Sequence, residues 1–354
     1  MSLDFSINSV QIAKILCDIP SVSGNEQEVA DLIQESLSAF SHLSVERISN
    51  NIIAKTSLGR DKRVVIAGHI DTVPIKDNVP AKFIEDDTIL WGRGSVDMKS
   101  GAAVMVKLAA ELAEPLWDIT WIWYENEEVA ETLNGLKQLA DSRPEELAGD
   151  FAILCEPSNA EIEGGCNGNI RVRVYAEGTR AHSARAWLGD NAIHKLSDAL
   201  LALANYRAET VNVDGLDYRE SLSAVGIEGG VAGNVIPDAA NIHVNYRFAP
   251  SKSVDDAYEF LTGFFAPLRV EIVDAANGAR PGLDSEFAAV FISAVGAETR
   301  PKYGWTDVAR FARLGIPAVN YGPGDPNLAH TDNEQVPVEQ IIMVEEGLRA
   351  WLQA

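Results

Sequence analysis

The chain has 354 residues, 46% of them hydrophobic and 23% charged, and its 52 acidic side chains against 29 basic ones leave a formal net charge of −23. That length exceeds what a single hydrophobic core usually serves, so two domains are expected, and the composition is that of a globular chain. The charge argues against nucleic acid and anionic membrane surfaces as partners, but not against a small anionic substrate, because metals or arginines can make a pocket locally positive.

Cys17, Cys155 and Cys166 are few, odd in number and scattered. They suit a reducing compartment rather than a disulfide framework, and no CxxC pair suggests a structural zinc site. The first residues carry no basic segment followed by a long apolar run, so no signal peptide is expected. No stretch of 18 apolar residues is present to span a membrane. A cytoplasmic location is expected.

The pattern at 8–19 predicts a helix closed by Pro20. Ser23, three residues before Glu26, reads as a capping box for a second helix through Val29, Ile33 and Leu37. Strands follow at 44–49, 51–57 and 63–70. The last ends in Gly68-His69-Ile70-Asp71, and residues two apart on a strand share a face. An imidazole and a carboxylate therefore emerge side by side, either as a metal ligand with its orienting acid or as plain decoration of a strand end.

Trp91-Gly92-Arg93-Gly94-Ser95-Val96-Asp97 leads into an apolar helix at 99–113. Its glycines predict a backbone bent closely around something. Asp97 stands at the helix mouth, as a cap or as a ligand. A strand at 118–124 runs into Glu125-Asn126-Glu127-Glu128, either an acidic solvated loop or a site at the strand end, where open α/β sheets place their ligands. A strand at 151–155 ends in Glu156. His330 closes a Gly- and Pro-rich loop.

The middle of the chain changes character after Gly164-Gly165-Cys166-Asn167-Gly168. A strand at 169–177, helix at 190–205, strands at 222–228 and 240–248, helix at 253–265 and strand at 268–273 give the order βαββαβ of a ferredoxin-like unit. A second glycine-rich stretch at 275–282 returns the chain to the first domain. There a helix at 284–295, a strand near 317–321 and a helix at 337–352 complete it. The expected organisation is a discontinuous domain of 1–167 and 278–354 with an insertion at 168–277.

Taken together, His69-Ile70-Asp71, Gly94-Ser95-Val96-Asp97-Met98-Lys99-Ser100-Gly101, Glu127-Glu128, Glu156-Pro157 and His330 resemble the motif series of the zinc-dependent aminoacylase and exopeptidase family. That family includes acetylornithine deacetylases, carboxypeptidases and succinyl-diaminopimelate desuccinylases. The resemblance spans essentially the whole chain, including Arg180-Ala181-His182-Ser183-Ala184 and Asn234-Val235-Ile236-Pro237-Asp238 of the insertion. It implies an α/β, phosphorylase/hydrolase-like zinc exopeptidase domain with an inserted ferredoxin-like dimerisation (lid) domain.

The resemblance further implies two Zn2+ ions per subunit, with Co2+ or Mn2+ as possible substitutes. Asp97 would bridge them; His69 and Glu156 would complete one site, Glu128 and His330 the other. Asp71 would orient His69, and Glu127 would be the general base. Three ligating carboxylates against two divalent cations leave about one positive charge to polarise an amide. His182 would stabilise the oxyanion in the partner's site of a homodimer. His42, His194 and His243 have no motif around them.

Arg247, Arg310, Thr306 and Asn234 fall where relatives bind substrate, and guanidinium groups suit carboxylates. Such a set favours a multiply anionic acyl-amino acid. The segments 124–130 and 181–192 resemble desuccinylases of the shorter, actinobacterial form, which implies N-succinyl-LL-2,6-diaminopimelate as substrate and a place in diaminopimelate and lysine biosynthesis. The rival activities are those of an N-acetylornithine deacetylase or a related acyl-amino-acid hydrolase or carboxypeptidase, and a metal-lacking binding protein is the rival class. One departure stands out: other bacterial desuccinylases carry an arginine pair where this chain has Gly165-Cys166-Asn167-Gly168.

Overall fold

The structure, a computed structural model, describes residues 2–353. The chain divides into two compact units. The first comprises the chain up to Gly164, Pro281–Arg300 and the chain from Arg310; the second comprises Gly165–Arg280 and Pro301–Ala309.

The first unit is built on an eight-stranded mixed sheet. Strands Asp118–Tyr124, Arg63–His69, Phe151–Leu154 and Ala318–Asn320 lie parallel and adjacent in its centre. Asp118–Tyr124 and Phe151–Leu154 are buried along their whole length, as expected of parallel strands covered on both faces. That is why they read as continuous apolar runs. Because the three strands Arg63–His69, Asp118–Tyr124 and Phe151–Leu154 run the same way, their carboxyl ends deliver His69, Glu125–Glu128 and Glu156 to one edge of the sheet.

Helices Ser9–Asp18, Gln27–Leu37, Lys99–Glu111, Glu286–Val295 and Val338–Gln353 share one core with this sheet. Trp351 packs at 5.9 Å from Phe151 and 5.1 Å from Phe291, ring centre to ring centre. Truncating so deeply buried a ring costs ~3–5 kcal/mol. Two glycines are dictated by close approach around one carbonyl. A Cβ on Gly101, in the Lys99–Glu111 helix, would lie 2.2 Å from the Cys155 carbonyl oxygen, and one on Gly322 would lie 2.3 Å from it. Glu156 is thus held between a helix and a loop that only glycine allows so near.

The second unit carries an antiparallel four-stranded sheet in the order Ser221–Gly229, Ala239–Phe248, Gly168–Glu177, Arg269–Ala276. With its helices this is the ferredoxin-like βαββαβ order. Where one helix is predicted at 190–205, the chain forms Ala192–Lys195 and Ser197–Asn205. An unanticipated hairpin, Thr210–Val213 with Leu216–Arg219, turns at Asp214-Gly215. The stretch Pro301–Ala309 groups with this unit, where the sequence pattern leaves it in the first. The Asn167 N–H donates to the Lys302 carbonyl at 3.1 Å, and the Trp305 indole donates to the Asn277 carbonyl at 3.1 Å. No helix among the described residues is long and apolar enough to cross a membrane.

Candidate metal centre

His69 is the last residue of the strand Arg63–His69 and is buried. Its Nε2 lies 3.0 Å from Asp97 Oδ1, while its Nδ1 lies 3.0 Å from the Asp71 carbonyl oxygen. The other Asp97 oxygen, Oδ2, lies 3.2 Å from His330 Nε2, which in turn is 2.8 Å from Glu128 Oε1. Two sets of donor atoms result: His69, Asp97 and Glu156, and Asp97, Glu128 and His330, with the atoms of each set lying within 4.8 Å of one another. Asp97 belongs to both. Five residues spread over the sequence between positions 69 and 330 therefore meet in the first unit.

The carboxylates and imidazoles of the cluster shift one another's titration. Burial works against ionising Asp97, but hydrogen bonds from His330 and His69 outweigh it and hold its carboxyl well below the usual carboxylate range. Burial would depress the His69 ring, yet Asp71 and Asp97 raise it well above its ordinary value. Asp97 and Glu128 raise His330 to about 10. Both rings are thus shifted toward the imidazolium form, which offsets the negative charge of the carboxylates beside them. The donor set fits divalent cations: mixed imidazole nitrogen and carboxylate oxygen, with one carboxylate common to two triads.

Asp71 does more than orient His69. It is buried, and its Oδ1 accepts the Glu127 N–H at 2.9 Å, while Oδ2 accepts the Glu128 N–H at 3.1 Å and the Ser23 hydroxyl at 2.7 Å. Asn126 has a left-handed backbone, φ 59°, which lets successive N–H groups converge on one acceptor. Ser23 and Glu26 do not form the predicted capping box. The helix Gln27–Leu37 has no side-chain cap; Ser23 serves Asp71, and Glu26 Oε1 accepts the N–H groups of Gly24 at 2.8 Å and Asn126 at 3.2 Å. Both residues brace the acidic loop. Pairing by sequence spacing alone could not find partners so distant in the chain.

The remaining candidates lie elsewhere. His182, Asn234, Arg247 and Thr306 belong to the second unit. His182 is exposed, its Nδ1 accepts the Ala184 N–H at 3.0 Å, and the neighbouring Ser183 N–H donates to the Asn234 carbonyl at 2.9 Å. Arg247 is half-buried and makes no ion pair among the described residues; burial and the nearby Arg171 lower its pKa. Thr306 is buried, and the Cys166 thiol donates to its carbonyl at 3.7 Å. Arg310, in the first unit and 4% exposed, donates to Glu131 Oε1 at 3.1 Å. At the site of the missing arginine pair, Cys166 and Asn167 are buried and Asn167 Nδ2 bonds the Arg219 carbonyl. On the adjoining strand, Arg171 stands opposite Asn245, diagonal to Arg247 opposite Asn169.

Residues 65–354 match peptidase family M20/M25/M40. The chain is 48% identical over 361 residues to the succinyl-diaminopimelate desuccinylase of Corynebacterium glutamicum, covering 99% of this chain and 97% of that one. It is 50% identical over 353 residues to a Mycobacterium tuberculosis protein provisionally given the same name, with 99% of each covered. Among solved structures, a dinuclear metal binding peptidase of Bacillus subtilis matches 98% of this chain and 97% of its own, with a TM-score of 0.70 at 18% identity. That likeness concerns the fold.

Proposed function

The chain belongs to peptidase family M20/M25/M40, and we propose that it is a succinyl-diaminopimelate desuccinylase. The reaction is hydrolysis of one linear amide, N-succinyl-LL-2,6-diaminopimelate giving succinate and LL-2,6-diaminopimelate. The observation that carries this reading is near-half identity along the whole chain to a protein of that name, together with two ligand triads sharing Asp97.

We assign His69, Asp97 and Glu156 to one Zn2+ and Asp97, Glu128 and His330 to a second. When bound, two such ions would polarise the scissile carbonyl and acidify a water molecule. Glu127 would take a proton from the attacking water and give it to the departing amine nitrogen, the work of a general base turned general acid. Its place is favourable, since Asp71 holds its backbone beside the metal ligand Glu128. Asp71 also fixes the tautomer of His69, leaving Nε2 for the metal.

His182 is assigned to oxyanion stabilisation across a homodimer. With Nδ1 accepting the Ala184 N–H, the proton of the neutral ring resides on Nε2, the donor an oxyanion needs. Dimerisation is supported by the strand Ser221–Gly229, an edge of the second unit's sheet that leaves Val225 and Ile227 exposed, with Leu201 exposed on the helix Ser197–Asn205. An apolar unpaired edge is a template for pairing. Arg247, Arg310, Thr306 and Asn234 are assigned to the substrate, whose three carboxylates suit guanidinium partners, and a cytoplasmic location completes the reading.

The deciding experiment compares kcat/KM for N-succinyl-LL-2,6-diaminopimelate and N-acetylornithine on zinc-loaded protein. The succinyl substrate is expected to be preferred; the reverse order overturns the substrate assignment.

A further inference from the structure

Two buried charged residues outside both triads converge on the loop that carries Asp97. Glu334 and Arg93 are 1% and 3% exposed, and Arg93 Nη1 donates to Glu334 Oε2 at 2.7 Å. The other oxygen, Oε1, accepts the backbone N–H groups of Val96 and Asp97, each at 3.0 Å. The Glu334 backbone carbonyl accepts the Gly92 N–H at 3.0 Å, and the strand that follows, Gln335–Pro337, pairs with Ile89–Trp91. Every polar group of Glu334 named here is thus spent on the segment 91–97, which ends in the residue common to the two triads.

Glu334 also stands four residues after His330. The His330 segment and the Asp97 loop come from distant parts of the chain, and the Glu334 side chain bonds the first directly to the second. We infer that Glu334, with its charge offset by Arg93, is a positioning residue that fixes the backbone of Asp97 so that its two oxygens face His69 and His330 at once. An ordinary structural pair would stabilise the fold and leave the geometry of Asp97 untouched. This inference rests on the reading of the two triads as metal sites.

The test measures Zn2+ affinity rather than turnover. Metal-free wild type, Glu334→Gln and Arg93→Lys are titrated with Zn2+ against a chromophoric chelator, with thermal midpoints recorded alongside. Glu220→Gln is the control, because Glu220 is an equally buried carboxylate of the second unit bonded to Tyr246, Ala249 and Lys252. Glu334→Gln is expected to lose roughly 10–100-fold in affinity, the usual effect of removing a group that orients a ligand. Both ions should be affected, since Asp97 is shared. Glu220→Gln should lower the thermal midpoint and leave the affinity alone. Arg93→Lys keeps the charge but not the planar fork and should weaken binding less than Glu334→Gln. If Glu334→Gln fails to fold, Arg93→Lys carries the test, and an unchanged affinity in it overturns the role. Wild-type affinity in a folded Glu334→Gln also overturns it, whereas a wild type that takes up no zinc overturns the metal-centre reading itself.

Discussion

Asp71 Oδ1 accepts the backbone N–H of Glu127 at 2.9 Å, so the residue beside the proposed ligand His69 also holds the proposed base. One carboxylate therefore couples two strand ends, that of Arg63–His69 and that of Asp118–Tyr124. Asp71→Asn keeps one acceptor oxygen but removes the charge facing His69. A fall in kcat of about 10–100-fold is expected, with a smaller loss of bound zinc. Steady-state kinetics and metal analysis on the same preparation check both.

Glu127 itself is assigned to proton transfer and not to a metal. Glu127→Gln should lower kcat by on the order of 10²–10⁴, the range for a positioned general base, while two zinc ions stay bound. Elemental analysis of the purified variant decides the matter, and parallel loss of zinc would make Glu127 a ligand.

Metal loading should release protons. His330 ordinarily titrates at 6.5 but is raised to about 10 by Asp97 and Glu128, and His69 is raised as well. The His330 ring of the metal-free protein is therefore expected to carry a proton at neutral pH, and His69 is shifted in the same direction. The stabilisation this gives is complete below the ordinary value and is lost as pH rises toward 10. Metal binding runs the other way, because a ligating imidazole must be neutral. Each displaced proton raises the apparent affinity by up to about tenfold per pH unit near neutrality. Calorimetry of zinc binding in buffers of different ionisation enthalpy counts the protons directly.

His182→Ala should reduce kcat by about 10²–10³, the scale for losing an oxyanion donor. Mixing inactive His182→Ala and Glu127→Gln subunits should restore part of the activity if the donor acts in its partner's site. No recovery, with subunit exchange verified by mass spectrometry, would place His182 outside a cross-subunit role.

Arg247 has no ion pair among the described residues and stands diagonal to Arg171 on one sheet face. Arg247→Gln should raise KM for the succinyl substrate more than for a neutral-tailed acyl amino acid. An equal effect on both substrates would remove it from carboxylate recognition.

What the sequence revealed and what it hid follow from the range of the forces involved. His69, Glu128 and Glu156 were legible because each follows a buried apolar strand, and parallel strands deliver their ends to a common edge. The Ser23–Glu26 spacing misled, because a local capping box and a long-range brace use the same side chains. Here their partners, Asp71 and Asn126, lie 48 and 100 residues away. Glu334 carried no signal, since its partners are mostly backbone N–H groups that look alike at every position. The hairpin at Asp214-Gly215 was readable from its turn residues and was missed.

The route of the chain through its two units sets the order in which the site can be made. Residues through Glu156 supply His69, Asp97, Glu128 and Glu156, but His330 and Glu334 follow the entire second unit. The strand Ala318–Asn320 and the helix Val338–Gln353 complete the core that carries these four residues, and Glu334 braces Asp97, so neither triad is built until the chain beyond the second unit has been made. The two proposed ion sites therefore arise together, and only after the second unit has been synthesised.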